Sequence, residues 1–262
     1  MAAGRFLSFE GVDGSGKSTQ ARLLADALRK AGHAVTLTRE PGGSPGAEEI
    51  RRLVLEGAPS RWSPETEILL FTAARRDHLE KTIRPALARG DVVITDRFAD
   101  STRMYQGISR GDLAVVVDQL HDLMIGVEPD LTFLIDMAPK KALERSLKRL
   151  ADEQSTFARS KHTQAEAMES QGLIMSSEMT EAISREASDK AKALKGAAAL
   201  IREGRMPEDR FETFGGLFQA QMRDGFLALA KSHPTRFRVI NGDRAPAEVA
   251  SDVTALATVH LT

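Results

Sequence analysis

Short apolar runs and amphipathic stretches alternate along the chain. Phe6 to Phe9 is an apolar run that ends at a glycine-rich loop. Leu23, Leu24, Ala27 and Leu28 then recur at helical spacing, and Gly32 sits where a helix C-cap would. Val35 to Thr38 reads as a second strand, followed by a turn rich in proline and glycine from Pro41 to Gly46. Helical spacing covers about Glu48 to Leu55, and again Pro64 to Leu79. Val92 to Thr95 reads as a strand ending at Asp96, Leu131 to Ile135 as one ending at Asp136, and Phe237 to Ile240 as the last. Strands separated by helices predict an α/β fold of three layers, with a parallel sheet of five strands flanked by helices. Ligands of such sheets bind beyond the C-terminal strand ends. Asp13, Arg39, Glu40, Asp96, Arg97 and Asp136 fall there.

One stretch breaks this rhythm. From Ala151 to Met206 there is no strand pattern, Phe157 is its one aromatic residue, and no proline occurs between Pro139 and Pro207. Ala, Glu, Lys and Met dominate, which favours helix. Thr163 and Glu166 have the spacing of a capping box. Met179, Ile183, Ala187, Ala191, Leu194, Ala198 and Ile201 form a stripe at steps of three and four. The pattern predicts a helical or partly disordered excursion, since an alanine-rich stripe offers little area to bury.

Composition narrows the chemistry. The chain has 262 residues, enough for one α/β domain with a sizeable core. Lys plus Arg number 36 and Asp plus Glu 37, so no whole-molecule attraction draws it to nucleic acid or to an anionic membrane. There is no cysteine, which excludes disulfides, thiolate nucleophiles and Cys-based zinc sites. The start, Met1 to Arg5, moves straight into a strand-like run without the apolar region of a signal peptide, and no stretch is apolar for long enough to span a bilayer. A cytoplasmic location is the expectation. The six histidines show no metal-ligand spacing.

Gly11-Val12-Asp13-Gly14-Ser15-Gly16-Lys17-Ser18 matches the phosphate-loop pattern GxxxxGK[ST] in full, after a strand and at the opening of a helix. Glycines let the backbone curl so that its N–H groups surround phosphate oxygens, and the helix N-terminus adds partial positive charge. Lys17 is expected to reach the β- and γ-phosphates of ATP, with Thr19 also at the loop's helical end. Ser18 is expected to ligate Mg²⁺. There is no NKxD guanine-reading motif, and no apolar strand ends in the Asp-Glu pair of ATP-hydrolysing machines. Asp96 ends its strand and is followed by Arg97, a pair that suits a kinase: Asp96 holds Mg²⁺ through water and Arg97 stabilises the phosphoryl group in flight.

Several ordered blocks resemble those of the thymidylate kinase family, bacterial type. They are Phe9 to Gln20, the Thr38-Arg39-Glu40-Pro41-Gly42-Gly43-Ser44 loop, Leu69 to Arg75, Asp96 to Gly107, Pro129 to Asp136, and Asp209 to Glu212. The resemblance runs from Arg5 to about Leu150 and from about Glu208 to the end. It implies the three-layer P-loop nucleoside-monophosphate kinase fold as a single domain, residues 1–262, and ATP-dependent phosphorylation of dTMP. Carried over, Phe71 stacks on the thymine and Arg75 contacts the base. Thr102 and Gln106 line the base pocket beside Ser101. Arg51 and Arg97 hold the acceptor phosphate, Asp13 approaches the 3′-hydroxyl, and Tyr105 sits under the sugar. The resemblance also implies a homodimer. Arg103 stands where the family usually has a small or apolar residue, and Trp62 matches no family position.

Some families of this kind carry an extra catalytic arginine in the phosphate loop, at the place held here by Gly14. Its absence points to the lid, with Arg145 and Arg149 before the excursion and Arg205 and Arg210 after it; Arg149 is the chosen candidate. A family lid is short, whereas residues 151–206 add roughly fifty more, far beyond ordinary loop lengths. Two other readings stay open at this point: a kinase for another deoxynucleoside monophosphate, and a catalytically weak nucleotide-dependent binding protein with the insertion as an interaction arm.

Overall fold

The computed structural model describes residues 4–56, 61–108, 112–170, 185, 187–189, 191–192, 195 and 212–261. The chain divides into two compact units, Met1–Met137 with Ala220–Thr262, and Ala138–Gln219. The first holds a five-stranded parallel sheet of β1 (Arg5–Glu10), β2 (Val35–Arg39), β3 (Val92–Asp96), β4 (Leu131–Asp136) and β5 (Phe237–Asn241), in the order β2-β3-β1-β4-β5. β1 is central, pairing with β3 through Phe9↔Asp96 and with β4 through Phe9↔Phe133. That register puts the ends of β1 and β3 side by side, so the loops after them share one rim.

Side-chain alternation decides what each face of the sheet buries. Leu7 and Phe9 of β1, Ile94 of β3 and Phe133 of β4 pack on one face against Leu24 and Leu28 of α1 (Lys17–Lys30) and Val249 and Val253 of α9 (Pro246–Leu261). Phe6 and Val93 point the other way, onto Leu79, Ile83, Ala86 and Phe98. Polar side chains inside this central layer find partners: the Ser8 and Thr132 hydroxyls meet at 2.8 Å across β1 and β4, and Arg236 Nη1 donates to Thr132 Oγ1 at 3.1 Å.

Helix boundaries follow local chemistry. α1 ends in a Schellman motif, with Gly32 N–H donating to Arg29 O and His33 N–H to Leu28 O, and Gly32 at φ 92°. α2 (Pro45–Leu55) begins three residues earlier than its apolar spacing predicts, because Pro45 takes a first-turn position where its missing N–H is harmless. α3 (Pro64–His78) does not stop near Leu79. It passes through a π-helical turn, Leu79–Ile83, into α4 (Arg84–Ala88). Pro85 lacks the donor that a regular ladder needs, and the wide turn accommodates this. Apolar spacing predicts no helix where α6 (Ala114–Met124) forms, because Val115, Val116 and Val117 favour strand locally.

Arg103 finds its explanation here. It lies just after α5 (Ala99–Thr102), in a π-helical segment, Arg103–Ile108. Its guanidinium bonds Asp100 and Asp118 at 2.8 Å each and Glu128 at 2.6 Å. Arg236 grips the buried Asp100 from the other side at 2.6 and 3.0 Å. A small residue at 103 would leave Asp100 with one cation fewer in a low-dielectric setting. Trp62 donates its indole N–H to Leu53 O at 2.9 Å and carries the Arg61 guanidinium over its ring, so its role is local packing between α2 and α3.

The second unit is described mainly by α7 (Pro139–Ser170), one continuous helix. It runs straight through Thr163 and Glu166, so their capping-box spacing marks no helix start; in a segment this rich in Glu and Gln such spacing arises from composition. Ala142, Leu147 and Ala151 of α7 are buried, as are Ala187 and Ala191 of the alanine-rich stripe. Met179, Ile183, Leu194, Ala198 and Ile201 lie outside the described residues, as does most of the stretch 171–211. Among the described residues, no helix is long and apolar enough to cross a membrane.

Candidate functional site

The turn from β1 into α1 builds an anion cradle. Gly11 takes φ 139°, and a Cβ there would lie 2.6 Å from Ile135 O, so only glycine fits. Gly16 caps α1 at φ 102°, a left-handed conformation that other residues rarely adopt. Gly14 also has positive φ, at 84°. The first turn of α1 contains no acidic residue to neutralise the helix terminus, and Ser18 and Thr19 follow Lys17 into it. The buried Ser15 hydroxyl has no hydrogen-bond partner among the described residues.

Lys17 is buried against this loop, donating to Val12 O at 3.2 Å and standing 3.6 Å from Asp13. Burial, and then the Arg97 charge, push its ammonium down to a pKa of about 8, against the pull of Asp13, Asp96 and Glu10. Desolvated cations of this kind gain most when an anion arrives.

Arg97 is the second pole of the site. It is the one non-glycine residue at positive φ among the described residues, at 74°. Its N–H donates to Phe9 O at 2.9 Å, and Thr95 Oγ1 donates to Arg97 O at 2.8 Å, which hold the unusual backbone in place. The guanidinium reaches Asp13 Oδ1 at 2.6 Å, Ser101 Oγ at 2.8 Å and Gly11 O at 3.4 Å, and packs over the Tyr105 ring at 5.0 Å. Burial opposes its charge, but Tyr105, Asp13, Glu10 and Asp96 outweigh this and hold the proton more firmly than usual.

Glu10 carries no role in the sequence reading, yet it organises this rim. The Phe98 N–H donates to its Oε1 at 2.7 Å and the Ser101 hydroxyl to its Oε2 at 2.6 Å. Burial, with Asp100 adding to it, lifts its carboxyl to a pKa of about 7. The available signal was a charged residue closing an otherwise apolar central strand.

Asp96 ends β3 with its Oδ1 buried and without a hydrogen-bond partner among the described residues. That orphan oxygen and the Ser18 hydroxyl suit a hard cation. No cluster of three or more His, Cys, Asp or Glu able to hold a metal occurs among the described residues. A Mg²⁺ that keeps several waters and is shared with phosphates needs no such cluster.

On the base side, Phe71 is half-buried on α3, with the buried Arg75 one turn further. Arg75 Nη2 donates to Thr102 Oγ1 at 2.9 Å and to Phe98 O at 3.3 Å, and its Nε to Glu40 Oε2 at 2.7 Å. Ser101, Thr102 and Gln106 are all buried along the same segment. Arg51 donates to Pro41 O at 2.6 Å, whereas Arg39 is engaged by the exposed Glu48 at 2.9 Å. The structure thus gathers Asp13, Lys17, Arg97, Ser101 and Tyr105 around one loop, and Arg75 with Thr102 beside it. Arg149 belongs to the second unit, on α7, where Glu153 pairs with it at 3.7 Å; Arg145 lies one turn before it. Arg205 and Arg210 lie outside the described residues. A further pair escaped the sequence reading: Arg223 of α8 (Glu212–Ser232) grips Asp136 with two bonds of 2.6 and 2.8 Å beside Gly11 and Val12.

Residues 9–195 match the family model for thymidylate kinase. The chain is 55% identical to the thymidylate kinase of Ruegeria pomeroyi over 258 residues, covering 98% of this chain and 96% of that protein. It is 36% identical to that of Geobacter sulfurreducens over 259 residues, covering 98% and 97%. The crystal structure of thymidylate kinase from Ehrlichia chaffeensis superposes with a TM-score of 0.62 at 29% identity, over 98% of this chain and 99% of that one. The Ruegeria and Geobacter alignments run nearly end to end on both sides, so these relatives are of similar length to this chain.

Proposed function

The chain belongs to the thymidylate kinase family, and from that premise we propose how its residues divide the transfer of the γ-phosphoryl group of ATP to dTMP. The fold is the P-loop nucleoside-monophosphate kinase fold, and the enzyme is an ATP-dependent dTMP kinase that yields dTDP and ADP. A phosphate oxygen of dTMP forms the new bond to Pγ as the bond from Pγ to the bridging oxygen of ADP breaks. The acceptor is already anionic, so positioning and charge neutralisation carry the catalysis and no strong base is required.

The observation that carries the assignment is the buried Lys17 and the half-buried Arg97 on either side of Asp13, at the rim where β1 and β3 end. Gly11 to Thr19 wrap the donor phosphates, and Lys17 neutralises the β- and γ-groups. Ser18, with Asp96 acting through water, would hold Mg²⁺, which would supply further charge neutralisation when bound. Arg97 and Arg51 hold the acceptor phosphate, and Arg97 also meets the charge that develops in flight. Asp13 orients Arg97 and approaches the 3′-hydroxyl; Tyr105, locked under the Arg97 guanidinium, crowds the 2′ position. Phe71 stacks on the base, and Arg75, Ser101, Thr102 and Gln106 line its pocket. Gly14 has no side chain, so the last cation is assigned to Arg149 of the lid, whose enlargement is residues 151–206 within one kinase domain, 1–262. Membership of the kinase family speaks against the binding-protein reading, and a pure ATP binder has no use for the acceptor residues assigned here.

The test is ADP release from Mg-ATP with dTMP, dUMP, dGMP, dCMP and dAMP supplied separately. Turnover restricted to dTMP, with some dUMP, is expected, because a pocket that accepts a methyl group gains only about 1–3 kcal/mol from it. Equal rates with purine acceptors would contradict the base-site assignment.

The proposed assembly is a homodimer in the cytoplasm. Leu69 of α3 and Leu123 of α6 are 57% and 77% exposed, and with Val116 and Leu120 they line one apolar groove suited to a second copy. Leu123→Glu is expected to shift the light-scattering mass from dimer to monomer. An unchanged dimer mass would place the interface elsewhere, and cell fractionation tests the location.

A further inference from the structure

Arg75 is held by a side chain that no reading of the phosphate loop or base pocket includes. Glu40 follows the end of β2 and is buried beside Arg75 and His78, the last two with 4% and 0% of their surface exposed. Its two carboxylate oxygens divide their work. Oε2 accepts from Arg75 Nε at 2.7 Å, and Oε1 meets His78 Nδ1 at 3.0 Å. A carboxylate can only accept, so Nδ1 carries the proton. The other ring nitrogen, Nε2, meets Thr38 Oγ1 at 2.7 Å, back on β2. The carboxylate is therefore fixed from two directions. Burial pushes its pKa up, but Arg75 and His78 outweigh this and hold it below the usual range.

The loop around this chain of bonds is shaped to it. Gly43 sits at φ 86°, and a Cβ there would lie 2.4 Å from both His78 Nε2 and Thr38 Oγ1. Glu40 N–H donates to Asp96 O at 3.0 Å, tying the same residue to the end of β3. Of the five N–H groups on Arg75, Nε is taken by Glu40 and both of Nη2 by Phe98 O and Thr102 Oγ1. The two on Nη1 have no hydrogen-bond partner among the described residues.

We propose that Glu40, braced by His78 and Thr38, is a positioning residue that fixes the Arg75 guanidinium so that Nη1 presents its two donors to a carbonyl oxygen of the acceptor base. This rests on the assignment of Arg75 to the base pocket. It deepens that assignment in one respect: recognition of the base depends on a buried carboxylate that never touches it. Arg75 is rigid in two of its three nitrogens, so the base meets a prealigned donor pair and orders nothing on binding.

Glu40→Gln separates charge from geometry. The glutamine carbonyl still accepts from Arg75 Nε, and its amide donates to His78 Nδ1 if the ring moves its proton to Nε2, where Thr38 Oγ1 accepts it. What is lost is the buried negative charge opposite Arg75. Steady-state kinetics should show KM for dTMP raised by about tenfold, with KM for ATP and kcat changed by less than about threefold. Glu40→Ala, which also removes the bonds, should raise it further, and melting curves check that each variant is folded. Arg75→Ala should raise KM for dTMP at least as much. Adding Glu40→Gln to Arg75→Ala should have no further effect, since the carboxylate acts through that arginine. The proposal is overturned if Glu40→Gln leaves KM for dTMP within about twofold while Arg75→Ala raises it, or if the double variant is additive. If Arg75→Ala itself leaves KM for dTMP unchanged, the base-pocket assignment fails and the proposal with it.

Discussion

Replacing Lys17 with methionine is expected to abolish phosphoryl transfer and to leave the unliganded protein at least as stable as the wild type. The first half follows from charge. Lys17 is the proposed cation for the donor phosphates, and loss of one well-placed electrostatic contact in a site shielded from water lowers kcat by about three orders of magnitude. The second half follows from burial. The Lys17 ammonium is desolvated beside Arg97, and its pKa falls from 10.5 to about 8. A base whose folded-state pKa is depressed is a liability below that pKa, because the folded state must keep a proton that it holds weakly. Between about pH 8 and 10.5 the unfolded chain binds more protons than the folded one, so stability rises with pH across that window. The span is worth about 3 kcal/mol at pH 7. Denaturant unfolding of both proteins without nucleotide, at pH 7 and pH 9.5, measures it. A Lys17→Met variant that unfolds several kcal/mol more easily at pH 7 would show that the lysine holds the loop together, contrary to this account.

Replacing Arg97 with lysine is expected to be nearly as damaging as replacing it with alanine, with kcat lowered by about three orders of magnitude in each. A lysine keeps the charge but not the fork. One guanidinium spans Asp13, Ser101, Gly11 O and the face of Tyr105, and a single ammonium cannot meet these directions together. The backbone adds to this, because φ 74° aims the side chain back across the phosphate loop. In the proposed role Arg97 serves both the acceptor phosphate and the moving group, so kcat and kcat/KM should fall together. A variant with raised KM for dTMP and an unaltered kcat would reduce Arg97 to a ground-state contact.

Much of the fold is legible in the sequence, for physical reasons that also mark where legibility ends. The five strands are apolar runs bounded by turn residues, and their extents agree with the structure to within a residue or two. The phosphate loop is a contiguous motif whose glycines have one main use. The helices are less legible: α6 hides behind three consecutive valines, and the π-helical turn before Pro85 has no periodicity to betray it. Thr163 and Glu166 imitate a helix start inside a continuous helix. In the site, residues within one motif are found easily, as with Arg97, Ser101 and Tyr105. Glu40, Arg75 and His78 meet through the sheet and α3 across a separation of 35 to 38 positions, which no local spacing encodes. Glu10 has the same difficulty, since its partners Phe98 and Ser101 come from the neighbouring strand's loop. Arg103 becomes intelligible only with Asp100, Asp118 and Glu128 around it.

The most direct measurement of the central claim is transfer of the terminal phosphate itself. ATP labelled in its γ-phosphate is mixed with dTMP, Mg²⁺ and the purified protein, and the products are separated. Label should appear in dTDP with one ADP formed for each dTDP, and Lys17→Met should stop both. ADP and free labelled phosphate without labelled dTDP, or ATP binding without turnover of any acceptor, would contradict the account.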